Sequence, residues 1–356
     1  MKPGGERQKK EEPEVIWDLI DRCLLPLVFS HAAAVISATV LNTLYISQIS
    51  VFSLFLIYIL LTLAVTLFYH NLKVTCAGKC VVLSGCENNV GYAIAKYLDE
   101  LGMTVFAGFA KETENRFKLK NECSGRLQII DLDVTSEKSV QNALKTVNEQ
   151  TNNLWGVVNA AFWSAFGETE WVPLSVFRKT LEVNLLGSVA LTNAFLPLIR
   201  KSKGRVVNII SVSGRIPSGI RAPICIVTSA LEAYTTCLRQ NMRRWGVDTI
   251  LVETGITTTS AWYDNKEMLD EARSLWQSLS AEQKQDYGKE YFESRITTMK
   301  EYQHSQEDLT ALLRSVGDAV CRTFPLSRYT PVTRTEKLQS LVASHLPHSV
   351  YSILYE

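Results

Sequence analysis

The sequence predicts an α/β chain: one doubly wound parallel sheet preceded by an N-terminal membrane anchor. Two patterns carry this. Short apolar runs alternate with helical periodicity from about residue 79 onward, and an unbroken apolar stretch, Val51–Phe68, lies ahead of them. A third observation, a glycine-bearing turn at Ser84–Gly91 directly after the first apolar run, fixes where a ligand crevice would begin.

Residues 1–22 read as a polar tail, of which 1–14 are expected to be disordered. From Cys23 to Phe68 there is no Asp, Glu, Lys or Arg, and residues 23–69 are assigned to the anchor. Val51–Phe68 approaches the roughly 20 residues a helix needs to cross a bilayer core. The preceding Leu24–Ile46 is weaker, because it carries Ser30, His31, Asn42 and Thr43. It reads either as an interfacial stretch or as the first arm of a two-span hairpin. The hairpin sets Lys9, Lys10, Lys73 and Lys79 on one side, as the positive-inside tendency favours. A cleaved signal peptide fits poorly, since the apolar region starts late and runs long. Residues 70–78 are assigned to a linker and 79–356 to the body.

In the body, Cys80–Leu83 reads as the first strand, and Ile94, Tyr97, Leu98 and Leu101 mark the helix after the glycine turn. Thr104–Ala107 and Leu127–Ile130 are the next two strands. Ser136 is placed to cap a helix whose apolar face is Val140, Ala143, Leu144 and Val147. Val157–Val158, Arg205–Ile210 and Thr249–Val252 complete the strands, with a long helix through Leu231–Trp245. Residues 256–305 are charged, aromatic-rich and poor in glycine. They read as an insertion of two helices covering the crevice. Leu309, Leu312, Leu313, Val316 and Val320 mark a further amphipathic helix. There is no internal repeat.

A formal net charge of +1 gives no field for nucleic acid. The eight cysteines contain no CxxC pair, so no zinc site is expected. In a cytosol-facing domain they are expected to remain reduced.

The turn Ser84-Gly85-Cys86-Glu87-Asn88-Asn89-Val90-Gly91 lies where backbone amides and a helix N-terminus hold a pyrophosphate in a Rossmann-type domain. From about Lys79 to near the C-terminus the chain resembles the short-chain dehydrogenase/reductase family. Ser84–Gly91 is similar to the family's TGxxxGxG loop, Leu132-Asp133-Val134-Thr135 to its adenine-contacting segment, and Val158-Asn159-Ala160-Ala161 to its NNAG strand end. Val183-Asn184 and Val207-Asn208-Ile209-Ile210-Ser211 match the asparagine and serine motifs. Lys96–Gly102 and Phe195–Arg205 resemble the membrane-bound branch that acts on steroids and retinoids. The resemblance implies NAD or NADP held by Gly85, Asn89, Gly91, Asp133, Asn159 and Thr259, with Ser211 and Asn184 at the reacting centre. It also implies a lipophilic small molecule, a steroid or retinoid, at an endoplasmic reticulum membrane, and it admits a homodimer. Phe106-Ala107-Gly108-Phe109 offers no acid or base that would choose between the two cofactors.

The family's proton relay is a Tyr-x-x-x-Lys pair one helical turn apart. The tyrosine exchanges the proton, and the lysine's charge brings a phenol of pKa about 10 toward neutral working pH. Aligned without gaps, the tyrosine position is Ile224 and the lysine position Thr228. Within Ile216–Leu231 only Arg221 and Cys225 titrate. Arg221 is too basic, and Cys225 is turned about 100° away along the helix. Further departures are Asn89, Ala160, Phe162 and Thr254-Gly255 at positions that rim the cofactor.

Three readings follow. The leading one is a family member without ordinary catalysis that binds a lipophilic ligand, a nucleotide or a partner. The second is an active NAD(P)-dependent oxidoreductase of steroid hormone metabolism with another proton donor. The third is a membrane scaffold that needs no ligand.

Overall fold

The computed structural model describes residues 16–256, 258, 261–262, 265–301 and 308–355. The chain divides into two units, 1–72 and 73–356.

The first unit is a helical hairpin. Helix α1 spans Ile16–Thr43 and so begins within the polar segment ahead of residue 23. Helix α2 spans Val51–Asn71 and is capped by Ser50, whose hydroxyl accepts from the Ser53 N–H. The stretches Leu25–Thr43 and Val51–Tyr69 are both long and apolar enough to cross a membrane. Two of the polar residues that weakened the first arm, Ser30 and His31, face the second, as does Ser37. Ser30 Oγ lies 3.1 Å from Thr62 Oγ1, and Ser37 Oγ lies 3.0 Å from the Tyr58 hydroxyl. His31 meets the Phe55 ring edge-on. Ala34 and Ala38 let the helices approach closely around Leu54.

The second unit is a seven-stranded sheet in the order β3-β2-β1-β4-β5-β6-β7, with every pair parallel. The strands are β1 (Cys80–Leu83), β2 (Thr104–Phe109), β3 (Leu127–Asp131), β4 (Leu154–Asn159), β5 (Arg205–Ser211), β6 (Asp248–Thr254) and β7 (Arg328–Tyr329). The crossover helices are α3 (Asn89–Glu100), α4 (Glu114–Glu122), α5 (Glu137–Gln150), α6 (Leu174–Thr180), α7 (Gly187–Ser202) and α8 (Ala222–Met242). Ser136 caps α5 as the sequence predicts, accepting from the Ser139 N–H. Both faces of the sheet are covered, so its central strands are continuous apolar runs: Val81–Leu83, Val157–Val158 and Val206–Val207 are all buried. The strand order reverses between β1 and β4, which places a ligand crevice at their carboxyl ends.

The insertion holds three described helices rather than two: α9 (Asn265–Ser278), α10 (Ala281–Tyr287) and α11 (Lys289–Glu301). Gly288, at φ +77°, makes the extra break. After α12 (Thr310–Cys321) the chain adds β7, then α13 (Arg334–His345) and α14 (His348–Tyr355). The segment 174–202, a third stretch of apolar helix, is built into this unit on top of β4.

Cys76 and Cys321, 245 residues apart in the chain, are joined in a disulfide, a pairing outside the sequence expectation of reduced thiols in a cytosol-facing domain. Their spacing carries no sign of proximity; the fold supplies it. Lys73 bridges Arg322, and the Val74 N–H donates to the Cys321 carbonyl. The same contacts hold residues 73–76 against the end of α12.

Candidate functional site

The turn after β1 is shaped by contacts within the chain. Gly85 has φ +78°, and a Cβ there would lie 2.5 Å from Ala161 Cα. A Cβ on Gly91 would lie 2.0 Å from the Gly85 carbonyl oxygen. Both glycines therefore let the start of α3 press against the ends of β1 and β4. Asn88 caps α3, its side chain accepting from the Gly91 N–H at 2.7 Å. Asn89 is the first residue of α3 and is not among the residues with positive φ.

A cleft of about 810 Å³ opens here. Glu87, Asn88 and Asn89 form one edge, and Ala110, Leu132, Asp133 and Val134 the strand-end wall. Ala161, Phe162 and Trp163 follow from β4, and Trp262, Met268 and Asp270 come from the insertion. Asp133 is held in place: its Oδ1 accepts from the Thr135 N–H at 2.9 Å and the Thr135 hydroxyl at 2.7 Å. Five carboxylates line the cleft (Glu87, Asp133, Glu267, Asp270, Glu271) against two lysines, Lys111 and Lys179. Burial pushes the Glu87 carboxyl above its ordinary range, and Asp133 adds to this. Hydrogen bonds with backbone amides, Ala110 among them, and the Lys111 charge oppose it. That charge balance is poor for a pyrophosphate.

The remaining positions expected at the site lie elsewhere. Asn159 is buried beneath the cleft, where its Nδ2 donates to Asn208 Oδ1 (2.6 Å) and Thr192 Oγ1 (3.0 Å). Asn208 Nδ2 in turn donates to Thr235 Oγ1 at 2.8 Å, so this chain of amides ties β4 and β5 to α7 and α8. Ser211 is 2% exposed; its hydroxyl donates to Ser213 Oγ and accepts from the Ser213 N–H. Asn184 sits in a π-helical turn, Leu181–Leu186, between α6 and α7. Neither Ser211 nor Asn184 lines the cleft. Thr259 lies outside the described residues.

The tyrosine and lysine positions are filled by packing. Ile224 is 0% exposed, in a cluster with Phe166, Trp171, Met268, Phe292 and Ile296. Trp171 meets the rings of Trp276 and Tyr287 edge-on, and Trp276 stacks on Phe292 at 4.7 Å. Thr228 is buried, with its Cγ2 2.9 Å from where a Gly214 Cβ would stand. Burial raises the Cys225 thiol pKa, with Arg221 and a backbone hydrogen bond at Ser218 pulling the other way, so this thiol is no ready proton acceptor.

Sequence reasoning passed over Trp262 and the network that holds the end of β6. Trp262 Nε1 donates to the Ala160 carbonyl at 3.3 Å, and its ring lies 5.2 Å from that of Phe162. Glu253 is buried between Arg215 and Arg328, and both arginines also pair with Glu232. From α13, Glu336 Oε1 accepts from the Ile256 N–H at 2.6 Å, fixing where the insertion leaves the sheet. The aromatic richness of 256–305 was the one available signal for Trp262. The network spans four separate segments and gives no local pattern.

A parallel sheet reversing between β1 and β4, with a glycine turn at the reversal, defines a Rossmann-type nucleotide-binding domain. The short chain dehydrogenase family pattern matches residues 79–270. The chain is 35% identical over 289 residues to the mitochondrial D-beta-hydroxybutyrate dehydrogenase of Rattus norvegicus, spanning 78% of this chain and 84% of that protein. It is 35% identical over 286 residues to estradiol 17-beta-dehydrogenase 2 of Mus musculus (76% and 72%). Retinol dehydrogenase 16 of Mus musculus is 34% identical over 278 residues (76% and 85%). The chain belongs to the short-chain dehydrogenase family, on the branch of steroid and retinol dehydrogenases, and its fold is the NAD(P)-binding fold of that family.

Asn89 and Asp133 line the cleft beside the turn that Gly85 and Gly91 shape. The wall of the second half carries no lysine at Thr228 and no phenol at Ile224.

Proposed function

We propose that this protein is a membrane-anchored family member that binds its ligand without turning it over by the usual relay. The observation that supports this most is Ile224. The position that must exchange a proton is a hydrocarbon sealed inside the insertion's aromatic cluster. The ligand is a steroid, a retinoid or a nucleotide. The names of two relatives suggest the first two, and the cleft suggests the third. The hairpin holds the protein in a membrane, which we assign to the endoplasmic reticulum.

A second reading has specific support: Ser211 and Asn184 are retained, and the relatives at 34–35% identity are named as dehydrogenases. On that reading the protein is an oxidoreductase of steroid hormone metabolism, with the proton drawn from water, substrate or another side chain. Loss of a general acid/base commonly costs about 10²–10⁴ in rate. The test is turnover by the purified full chain in detergent, with either cofactor, on estradiol, estrone, retinol and D-beta-hydroxybutyrate. No turnover is expected. Turnover that Ser211→Ala abolishes overturns the binding reading in favour of the second.

A further inference from the structure

A dinucleotide bound at this switch point would lie across the strand ends, with adenosine beside β1, β2 and β3 and its other half over β4, β5 and β6. To reach from one side to the other it must pass between the turn after β1 and the end of β4. That passage is closed by the chain itself. Asn88 Nδ2 and Trp262 Nε1 both donate to the Ala160 carbonyl, at 3.4 Å and 3.3 Å. The indole is 7% exposed and packs on Phe162, which replaces the glycine of the family motif. Beyond it, Phe162 also touches the cluster that buries Ile224. The open cleft turns away from the ends of β5 and β6, toward Lys179 and the acidic face of α9.

We propose that the cleft takes a purine nucleoside monophosphate, with Trp262 excluding the second half of a dinucleotide. This rests on the reading of the protein as a binding member of its family. Ala110, Leu132 and Val134 give a flat base an apolar wall, and Asp133 supplies an acceptor for an exocyclic amine. Because Trp262 covers the crossing, the nicotinamide half of NAD+ adds nothing to affinity. Removing the indole opens the way to it.

The experiment is calorimetric titration of the full chain in detergent with AMP and NAD+. In the parent, the two are expected to bind within about threefold of each other. In Trp262→Leu, NAD+ is expected to bind at least about tenfold tighter than AMP binds to the same variant. Where Trp262→Leu fails to melt cooperatively, Phe162→Leu, which removes the ring that Trp262 rests on, is expected to move the ratio the same way. Three results overturn the proposal: NAD+ binding about tenfold tighter than AMP in the parent, an unchanged ratio in both variants, or no binding of AMP. None of these bears on turnover, which decides the earlier reading separately.

Discussion

Asn184 holds the backbone of Trp163 at both ends: its Oδ1 accepts from the Trp163 N–H at 2.8 Å and its Nδ2 donates to the Trp163 carbonyl at 3.0 Å. The amide is buried and committed to the chain that leads from β4 into the cleft wall. Asn184→Ala leaves two backbone groups without that partner, at a cost of about 1–3 kcal/mol. Its melting temperature is expected to fall by several degrees. Asn184→Asp, which keeps the acceptor and loses the donor, should fall between it and the parent. Equal melting of all three proteins would show that water replaces the amide at no cost.

The sheet was legible in the sequence because both of its faces are buried. Strands such as Val81–Leu83 and Val206–Val207 are unbroken apolar runs, and helices such as α5 carry a single apolar face. The glycine turn was legible for a similar reason, since no side chain fits at Gly85 or Gly91. Motif matching named Asn159 and Ser211 by type, but whether a polar side chain faces a cleft or a neighbouring strand depends on partners far off in sequence. Asn159 pairs with Asn208 and Thr192, and Ser211 with Ser213. Cys76 and Cys321 illustrate the same limit, and so does Trp262, whose acceptor at Ala160 is 102 residues away.

Glu87 makes nucleotide binding depend on pH. Burial raises its pKa, so it takes up a proton at a higher pH than an ordinary glutamate. Below that point the cleft carries one negative charge fewer, with Lys111 and Asp133 still facing the turn. Affinity for NAD+, whose pyrophosphate keeps its charge throughout, is expected to rise about two- to fivefold as pH falls from neutral through the raised pKa, the scale of one partly exposed charge pair. Glu87→Gln should bind more tightly at neutral pH and lose that slope. A slope unchanged in Glu87→Gln assigns the titration to another group.

The hairpin predicts topology. α1 and α2 are both long enough to cross a membrane, and where both do so the two ends of the chain are expected on one side. Glycosylation acceptor sites placed at the N-terminus and the C-terminus should be modified together or not at all, and the full chain should stay in the pellet after carbonate washing. Modification of one end alone means a single span. Glycosylation of both would put Cys76 and Cys321 in an oxidising compartment, in keeping with their disulfide.

From the sequence alone, Ile224→Tyr with Thr228→Lys reads as the restoration of a proton relay. The structure gives a different expectation. Ile224 is fully buried in the cluster that holds Phe166, Trp171, Met268, Phe292 and Ile296, so a tyrosine ring must displace neighbouring side chains and bury its hydroxyl among hydrocarbons. Overpacking of this kind costs about 1–3 kcal/mol. A lysine at 228 must place an ammonium in a buried position against Gly214, and without a partner it sheds its proton rather than remain charged. A neutral amine does not lower the phenol's pKa, so the pair fails as a relay even where the chain still folds. The double variant is expected to melt below the parent and to show no turnover of estradiol or retinol. Full stability together with turnover would mean that the insertion cluster opens readily and that the missing relay was the only obstacle to catalysis.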